Sequence, residues 1–424
     1  MTGCAPQLPF NPVTASEPLA LWEVYAGPLG LIAFVLLVPL IRVLARVRRR
    51  TALIVGGLVW VVGTAGPPST IVLLLFLALA CGWLWLLNRL RRRGWLGTGV
   101  MIGLVWAGLH LLILPLWWFP LQEQWYGWLP TRVPPLHFLG LAYLLLRLVA
   151  WGVDLARQSA ATGRPTDTAC WLLYPPCMRC GPILLREPFL ERLDAWDPRA
   201  KVPVKAVLRR LGSALIGLGA LAVALRNTPS VAAGAADFFA SPQGYSTGEL
   251  LRVFYLLPIQ VYLFLWSYSE LAIGLALWLG IRVDENFNWA PRATSVRDFW
   301  RRWHVTVGLW LRNYIYIPLG GNRGIVPLCY LAVFGYCGIW HGASWSFLAW
   351  GFSQAAALTV QRGWDRLRER LGWQGQPSGP AWTAFCWLLT VHYQIATIVI
   401  FADFEHRGIR LFGELLQRLV GAAT

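Results

Sequence analysis

The chain has 424 residues, of which 57% are hydrophobic and only 13% charged, and its mean hydropathy is +0.51. Soluble domains carry about a quarter charged residues, so the composition excludes a soluble enzyme, a disordered protein and a disulfide-stapled secreted module. It predicts a polytopic membrane protein. The net charge is +17, and all but two of the 37 basic residues are arginine. They occur in short bursts between apolar runs, which is the positive-inside pattern of cytoplasmic loops, so we expect no nucleic-acid partner.

The N-terminal third, residues 25–150, is predicted to contain membrane helices joined by basic loops. Its apolar runs are residues 25–41, 51–65, 70–87, 97–119 and 136–156. Arginine bursts at 42–50 and 89–93 place the loops that carry them on the cytoplasmic side. The turn Gly66-Pro67-Pro68-Ser69 separates the second run from the third, so these two runs are predicted to form a hairpin.

The following part of the chain is predicted to be membrane-embedded as well, with one irregular segment. Residues 171–185 are apolar but are broken by Pro175-Pro176 and Gly181-Pro182, so we expect a non-helical segment that protein shields from lipid. The charged stretch 186–210 is predicted to be a cytoplasmic loop or surface helix. The remaining apolar runs bring the total to about nine to eleven membrane segments in a single domain, 1–424; they are 211–225, 250–281 (as one helix or a broken pair), 325–340, 343–358 and 381–401.

Polar side chains are concentrated in residues 267–350. Such residues at membrane depth are costly and indicate function by default. Five short motifs make up the region: Ser267-Tyr268-Ser269-Glu270, Asp284-Glu285-Asn286-Phe287-Asn288, Arg297-Asp298-Phe299-Trp300-Arg301-Arg302-Trp303-His304, the run from Tyr314 to Arg323, and Gly338-Ile339-Trp340-His341-Gly342-Ala343-Ser344-Trp345.

Two histidines in this region are candidates for chemistry. His341 is flanked by apolar runs on both sides. An imidazole shielded from water stays neutral, which suits a general base, but a structural histidine that donates one hydrogen bond between helices fits the pattern too. His304 lies in a Trp- and Arg-rich stretch, where it either positions an anionic or thioester donor or anchors the interface. The other four histidines show no partner pattern.

In this order, the motifs resemble the membrane-bound O-acyltransferase family, and within it the branch of bacterial alginate O-acetylase membrane subunits. Weaker similarity involves Asp154 with Arg157, Gly181-Pro182-Ile183, and Phe401 onward, so the resemblance covers about 151–416. The branch reads Y-S-D/E-x-A-I-G-L, E-N-F-N, R-x-F-W-x-R-W-H, R-D-Y-x-Y-I-P-L-G-G-N-R and G-x-W-H-G-A-x-W, which match residues 268–275, 285–288, 297–304, 312–323 and 338–345.

The resemblance implies an all-α membrane fold, with a ring of helices and re-entrant segments around a central tunnel. It implies that His341 and His304 are the two family histidines, with His341 catalytic. The donor is then a cytoplasmic acyl thioester, either acetyl-CoA or an acyl carrier protein, with no bound cofactor or metal. The acceptor is an extracytoplasmic polysaccharide, reached through a partner acetyltransferase, and the location is the bacterial inner membrane. Donor-binding candidates are Glu270, Arg301, Arg302, Trp303, Arg312, Asn313, Tyr316, Asn322, Arg323 and Trp340.

Three departures from the branch put the donor and the acceptor in question. Asn313 replaces an aspartate, Gln354-Ala355 replaces His-Gly, and Ala402-Asp403 falls where an arginine is usual. The alternative within the family is a D-alanyl transferase acting on teichoic acid. A transporter and a non-catalytic scaffold are the alternatives of other classes, although a transporter usually shows internal repeats that this chain lacks.

Two further pairs of residues allow more than one interpretation. Cys177-x-x-Cys180, with Cys170 nearby, suggests a zinc or redox site, but a zinc site needs four ligands, so packing thiols are the better prediction. Arg147 and Asp154 lie seven residues apart, on one face of a helix. They are predicted to form a structural ion pair, or else to line the tunnel.

Overall fold

A computed structural model describes residues 28–117, 140–178, 180–227, 242–341, 345–372, 379–401 and 413–418. All regular secondary structure in these ranges is helical. The end of the apolar run 97–119, the start of the run 136–156 and the departure at Ala402-Asp403 lie outside the described residues. The helices, numbered here in chain order, are α1 Pro28–Arg92, α2 Thr98–Trp117, α3 Leu141–Arg157, α4 Pro165–Leu172, α5 Arg186–Asp194, α6 Val204–Arg226, α7 Thr247–Leu279, α8 Val296–Arg302, α9 Val305–Leu311, α10 Val326–His341, α11 Trp345–Arg370 and α12 Pro380–Phe401.

Four described segments are long and apolar enough to cross a membrane: Ser69–Arg92, Val204–Leu225, Thr247–Leu279 and Pro380–Phe401. Two shorter helical stretches, Thr98–Leu114 and Val326–His341, are also apolar. The predicted helical fold is therefore confirmed for the described residues, with four segments that could span a membrane. The total of about nine to eleven segments stays a prediction.

Local sequence explains where several helices begin, bend and end. The first helix loses helical geometry at Arg48 and at Gly66, whose φ of 77° only glycine adopts readily, so the predicted break between two apolar runs is present. Helix α7 begins at a reciprocal cap between Ser246 and Glu249 and ends at Gly280. It is one continuous helix of 33 residues despite Pro258. The alternative of a broken pair over 250–281 is therefore wrong.

Helix α3 lies in the interior of the bundle. Thirteen of its 17 residues are buried, and its main helical neighbour is α2. The segment 171–185 packs around it as α4, a short 3₁₀ turn at Pro175–Cys177 and an irregular run. This segment is buried almost throughout, as irregular backbone in a membrane protein must be. The central helix thus presents its side chains to several other parts of the chain.

Helices α10 and α11 approach each other closely because glycines occupy their contact. A Cβ added at Gly338 would lie 2.5 Å from the carbonyl oxygen of Phe347, and one added at Gly351 would collide with the carbonyl oxygen of Phe334. Small residues allow membrane helices to pack backbone against backbone. Because α10 ends at His341, this contact determines where that histidine lies.

Substituting Gly351 by alanine is expected to destabilise the protein by about 1–3 kcal/mol, since the added methyl forces the two helices apart. Thermal unfolding of the purified protein in detergent measures the effect. Gly363→Ala is the matched control, because it lies on the same helix with open space around its Cβ position. We expect that control to stabilise the helix slightly. Equal unfolding temperatures for the two variants would contradict the proposed close contact.

Candidate active site

His304 occupies the turn between α8 and α9, with only 8% of its surface exposed. Its backbone is left-handed, with φ of 45° and ψ of 51°. A residue other than glycine or asparagine adopts this geometry at a cost of roughly 1–2 kcal/mol. The surrounding structure must therefore hold this residue in place, and four other parts of the chain converge on it.

Asn286 is the centre of the hydrogen bonds around His304. This side chain is 1% exposed and comes from the loop that follows α7. Its Oδ1 accepts from His304 Nδ1 (3.1 Å) and from the Thr306 hydroxyl (2.7 Å), and its Nδ2 donates to Ser269 Oγ (2.9 Å). The Thr306 hydroxyl oxygen in turn accepts from the backbone N–H of Ile183 (2.9 Å). The irregular segment, α7, the loop and α9 are thereby joined at one point.

The second nitrogen of His304 binds Tyr143, a residue of α3. Nε2 and the Tyr143 hydroxyl oxygen are 3.0 Å apart. Phe287 covers the imidazole from another side, with ring centroids 5.9 Å apart. Burial lowers the pKa of His304 to about 4, because a shielded site disfavours the charged imidazolium. The ring is therefore neutral at neutral pH, and both of its nitrogens are already bonded to protein.

His341, at the end of α10, is enclosed by aromatic rings. Its centroid lies 4.7 Å from those of Trp340 and Phe401, 5.7 Å from Trp350 and 6.0 Å from Phe347. These rings come from α10, α11 and α12, so the end of each helix contributes to the enclosure. These rings surround the half-buried imidazole with a largely apolar environment.

The two imidazoles lie close enough to interact electrostatically. Tyr143 contacts residues on both sides of the site, since its hydroxyl binds His304 and its ring packs edge-on at 5.9 Å against Trp340, the neighbour of His341. Trp340 Nε1 donates to the carbonyl oxygen of Ala142 (3.2 Å). The structure therefore brings together the two histidines and Trp340 from the predicted set.

Three other predicted residues border this centre. Glu270 forms an ion pair with Arg210 (2.7 Å), and the same arginine also forms an ion pair with Glu285. Trp303 stacks on Phe299 and meets Phe287 edge-on at 5.3 Å. Arg302 is held by Asp298 (2.8 Å) and by the carbonyl oxygen of Asn288. Each is engaged with protein in this structure and supports the loop that carries Asn286.

The other predicted donor-binding residues lie away from the histidines. Tyr316 donates to Asn322 Oδ1 (2.8 Å), and this oxygen also accepts from Arg362 (3.2 Å). The remaining arginines, Arg301, Arg312 and Arg323, are exposed, and Asn313 is half-buried. The structure thus divides the predicted set into a buried centre and a largely exposed group, half of which is arginine.

The predicted ion pair between Arg147 and Asp154 is wrong. Arg147 is fully buried, donates from Nη2 to the carbonyl oxygen of Trp171 and lies 4.9 Å over the ring of that residue. Asp154 instead accepts from the Tyr314 hydroxyl (2.7 Å). Seven residues along a helix span about 10.5 Å, so partners from neighbouring segments lie closer to each side chain.

The departure at Gln354 places a polar cluster beside the enclosure of His341. Gln354 is fully buried, accepts from Trp300 Nε1 (3.1 Å) and donates to Thr397 (3.0 Å) and Gln394 (3.2 Å). Trp350, one helical turn earlier, contacts His341. Gln354 therefore ties α8, α11 and α12 together at this point, which explains why a polar residue is retained there.

Sequence reasoning did not select Tyr143, Asn286, Thr306 or Ser269 as site residues. Asn286 and Ser269 lie inside motifs that were recognised, so their polarity in an apolar region was a usable signal. Tyr143 is the single tyrosine of the apolar run 136–156. Its role depends on a partner 161 positions away, and nothing in its local sequence indicates that partner.

Comparison with known proteins shows which family the chain resembles. Residues 163–402 match the model of the membrane-bound O-acyltransferase family. The chain is 30% identical to the probable alginate O-acetylase AlgI of Azotobacter vinelandii over 230 residues, 53% of this chain and 44% of that protein. It is 40% identical to the peptidoglycan O-acetyltransferase of Helicobacter pylori over 114 residues, 26% of this chain and 22% of that protein.

A third relative is the teichoic acid D-alanyltransferase of Bacillus subtilis, 22% identical over 293 residues, 64% of this chain and 70% of that protein. The chain spans about half the length of the alginate O-acetylases it matches. The family model covers more than half of the chain and includes both His304 and His341. The chain therefore belongs to the membrane-bound O-acyltransferase family.

Proposed function

We propose that this protein passes an acyl group, acetyl in the simplest case, from a cytoplasmic thioester across the membrane for the O-acylation of an extracytoplasmic polysaccharide. The observation that carries the proposal is the pair of neighbouring imidazoles, one fixed by Asn286 and Tyr143 and one enclosed by aromatic rings. Relatives named for O-acetylation support the acetyl group and a glycan acceptor. The location proposed with this activity is the bacterial inner membrane.

In the proposed reaction His341 is the general base. The acceptor oxygen attacks the thioester carbonyl carbon, its proton passes to the imidazole, the C–S bond breaks, and the departing thiolate takes the proton back. The products are an ester and a free thiol, so the atoms and electrons of the reaction balance without a bound cofactor. His304 positions the site, because Asn286 and Tyr143 occupy both of its nitrogens.

The proposed route follows the family architecture, a ring of membrane helices with a tunnel that opens to the cytoplasm. The exposed arginines Arg301, Arg312 and Arg323 supply the positive charge that coenzyme A or an acidic carrier protein requires. A partner acetyltransferase on the far side completes delivery to the polysaccharide. One observation favours D-alanyl transfer as a second candidate: the alignment covers 70% of the Bacillus subtilis protein, against 42–55% of three alginate O-acetylases.

Inverted membrane vesicles test the proposal, since they expose the cytoplasmic face and retain partner proteins. With acetyl-CoA labelled in the acetyl group, we expect free thiol to appear outside and labelled ester to appear on glycan inside, in equal amounts. A D-alanyl transferase would consume D-alanyl carrier protein and leave acetyl-CoA intact. Uptake of label without thiol release would instead indicate a transporter and contradict acyl transfer.

A further inference from the structure

The proton position on His304 follows from its neighbours. The backbone N–H of Thr306 is always a donor, and it lies 3.4 Å from Asn286 Oδ1, which identifies that atom as the amide oxygen. The same oxygen accepts from His304 Nδ1 at 3.1 Å. Nδ1 therefore carries the proton of the neutral ring, and Nε2 presents its lone pair to Tyr143.

The Tyr143 hydroxyl must then be the donor to Nε2. A tyrosine hydroxyl has one proton, so its contact with Cys180 Sγ at 3.6 Å has the thiol as donor. All three bonds therefore run in one direction, from Cys180 through Tyr143 and His304 to Asn286. A chain of this kind polarises each member and fixes the orientation of the imidazole.

The same tyrosine also supports the helix end that carries His341. Its ring meets Trp340 edge-on, and Trp340 donates to the carbonyl oxygen of Ala142, the residue before it. His341 follows Trp340 directly, and the two rings lie 4.7 Å apart. Ala142 and Tyr143, adjacent residues of the buried helix α3, thus contact both His304 and the end of α10 that carries Trp340 and His341.

We infer that Tyr143 is a positioning residue that couples His304 to His341, its hydroxyl fixing one imidazole and its ring supporting the other. This inference rests on the proposed acyl transfer. A general base works only when it is held within a fraction of an ångström of its productive position. The coupling therefore affects the rate of the chemical step more than the binding of the donor.

Tyr143→Phe tests the inference because it removes the hydroxyl and keeps the ring. In the vesicle assay we expect kcat to fall roughly 10- to 100-fold, with KM for the thioester unchanged and thermal unfolding close to wild type. Tyr336→Phe is the matched control, since it removes the hydroxyl from another tyrosine–histidine pair, that of Tyr336 and His110 (3.2 Å). It should leave kcat unchanged.

Wild-type kcat in Tyr143→Phe would overturn the inference, and so would an equal loss in the control, because that would indicate general packing damage. Absence of transfer by the wild-type protein would instead overturn the proposed function. If Tyr143→Phe does not fold, Trp340→Phe tests the coupling from the other side by removing the bond to Ala142. A lowered kcat at unchanged KM supports the inference, and a wild-type kcat overturns it.

Discussion

Replacing His341 by alanine is expected to lower acyl transfer by about 10²- to 10⁴-fold, the usual contribution of a positioned general base. The imidazole is the titratable group inside the enclosure formed by Trp340, Phe347, Trp350 and Phe401. Without it, the acceptor hydroxyl keeps its proton in the transition state. Thiol release from acetyl-CoA and ester formation on glycan, both measured in inverted vesicles, should be lost together.

His392→Ala is the control for this substitution. His392 is an exposed residue of α12, where its Nε2 binds the Tyr255 hydroxyl at 3.3 Å, so its loss should leave transfer unchanged. A scaffold that only recruits another acyltransferase would tolerate His341→Ala. Normal transfer by that variant, at a normal level in the membrane, would therefore contradict the catalytic role of His341.

Replacing Asn286 by leucine is expected to destabilise the protein by roughly 3–5 kcal/mol and to abolish transfer. The leucine has a similar size but leaves Ser269, Thr306 and His304 without their partner. A buried polar group without a hydrogen bond costs about 1–3 kcal/mol. The left-handed backbone of His304 also loses the contact that holds it in place.

Denaturant unfolding in detergent measures the destabilisation. Asn227→Leu provides the comparison, because Asn227 is exposed at the end of α6 and makes one local hydrogen bond, to the carbonyl oxygen of Val223. We expect the free energy of unfolding of that variant to lie within about 0.5 kcal/mol of the wild-type value. If Asn286→Leu were as stable as this control, the hydrogen bonds of Asn286 would not hold the site together.

Part of the site was predictable because it is local in sequence. Asn286, His304 and Thr306 lie within 20 positions of each other, separated by a loop and helix α8, and the recognised motifs contain the first two. His341 was predicted from a polar residue between apolar runs, and the structure links it to the other histidine through Trp340 and Tyr143. Its catalytic role stays a prediction.

Other contacts were not predictable because their partners are far apart in the chain. Arg147 and Asp154 share a helix face, yet each binds a residue of another segment. Gln354 was noted only as a departure from a motif, while its hydrogen bonds reach two other helices. A shared helix face limits where a side chain points and does not choose among the groups that tertiary packing brings there.

The sequence by itself determined that this is an all-helical membrane protein, because a chain with 13% charged residues has no polar shell for a soluble core. Its ordered motifs also determined the family. Only the tertiary structure decided that Tyr143 contacts both His304 and Trp340, the neighbour of His341, and that Asn286 Oδ1 faces Nδ1 of His304. Hydropathy depends on composition along the chain, whereas a hydrogen bond depends on distance and direction between atoms that folding brings together.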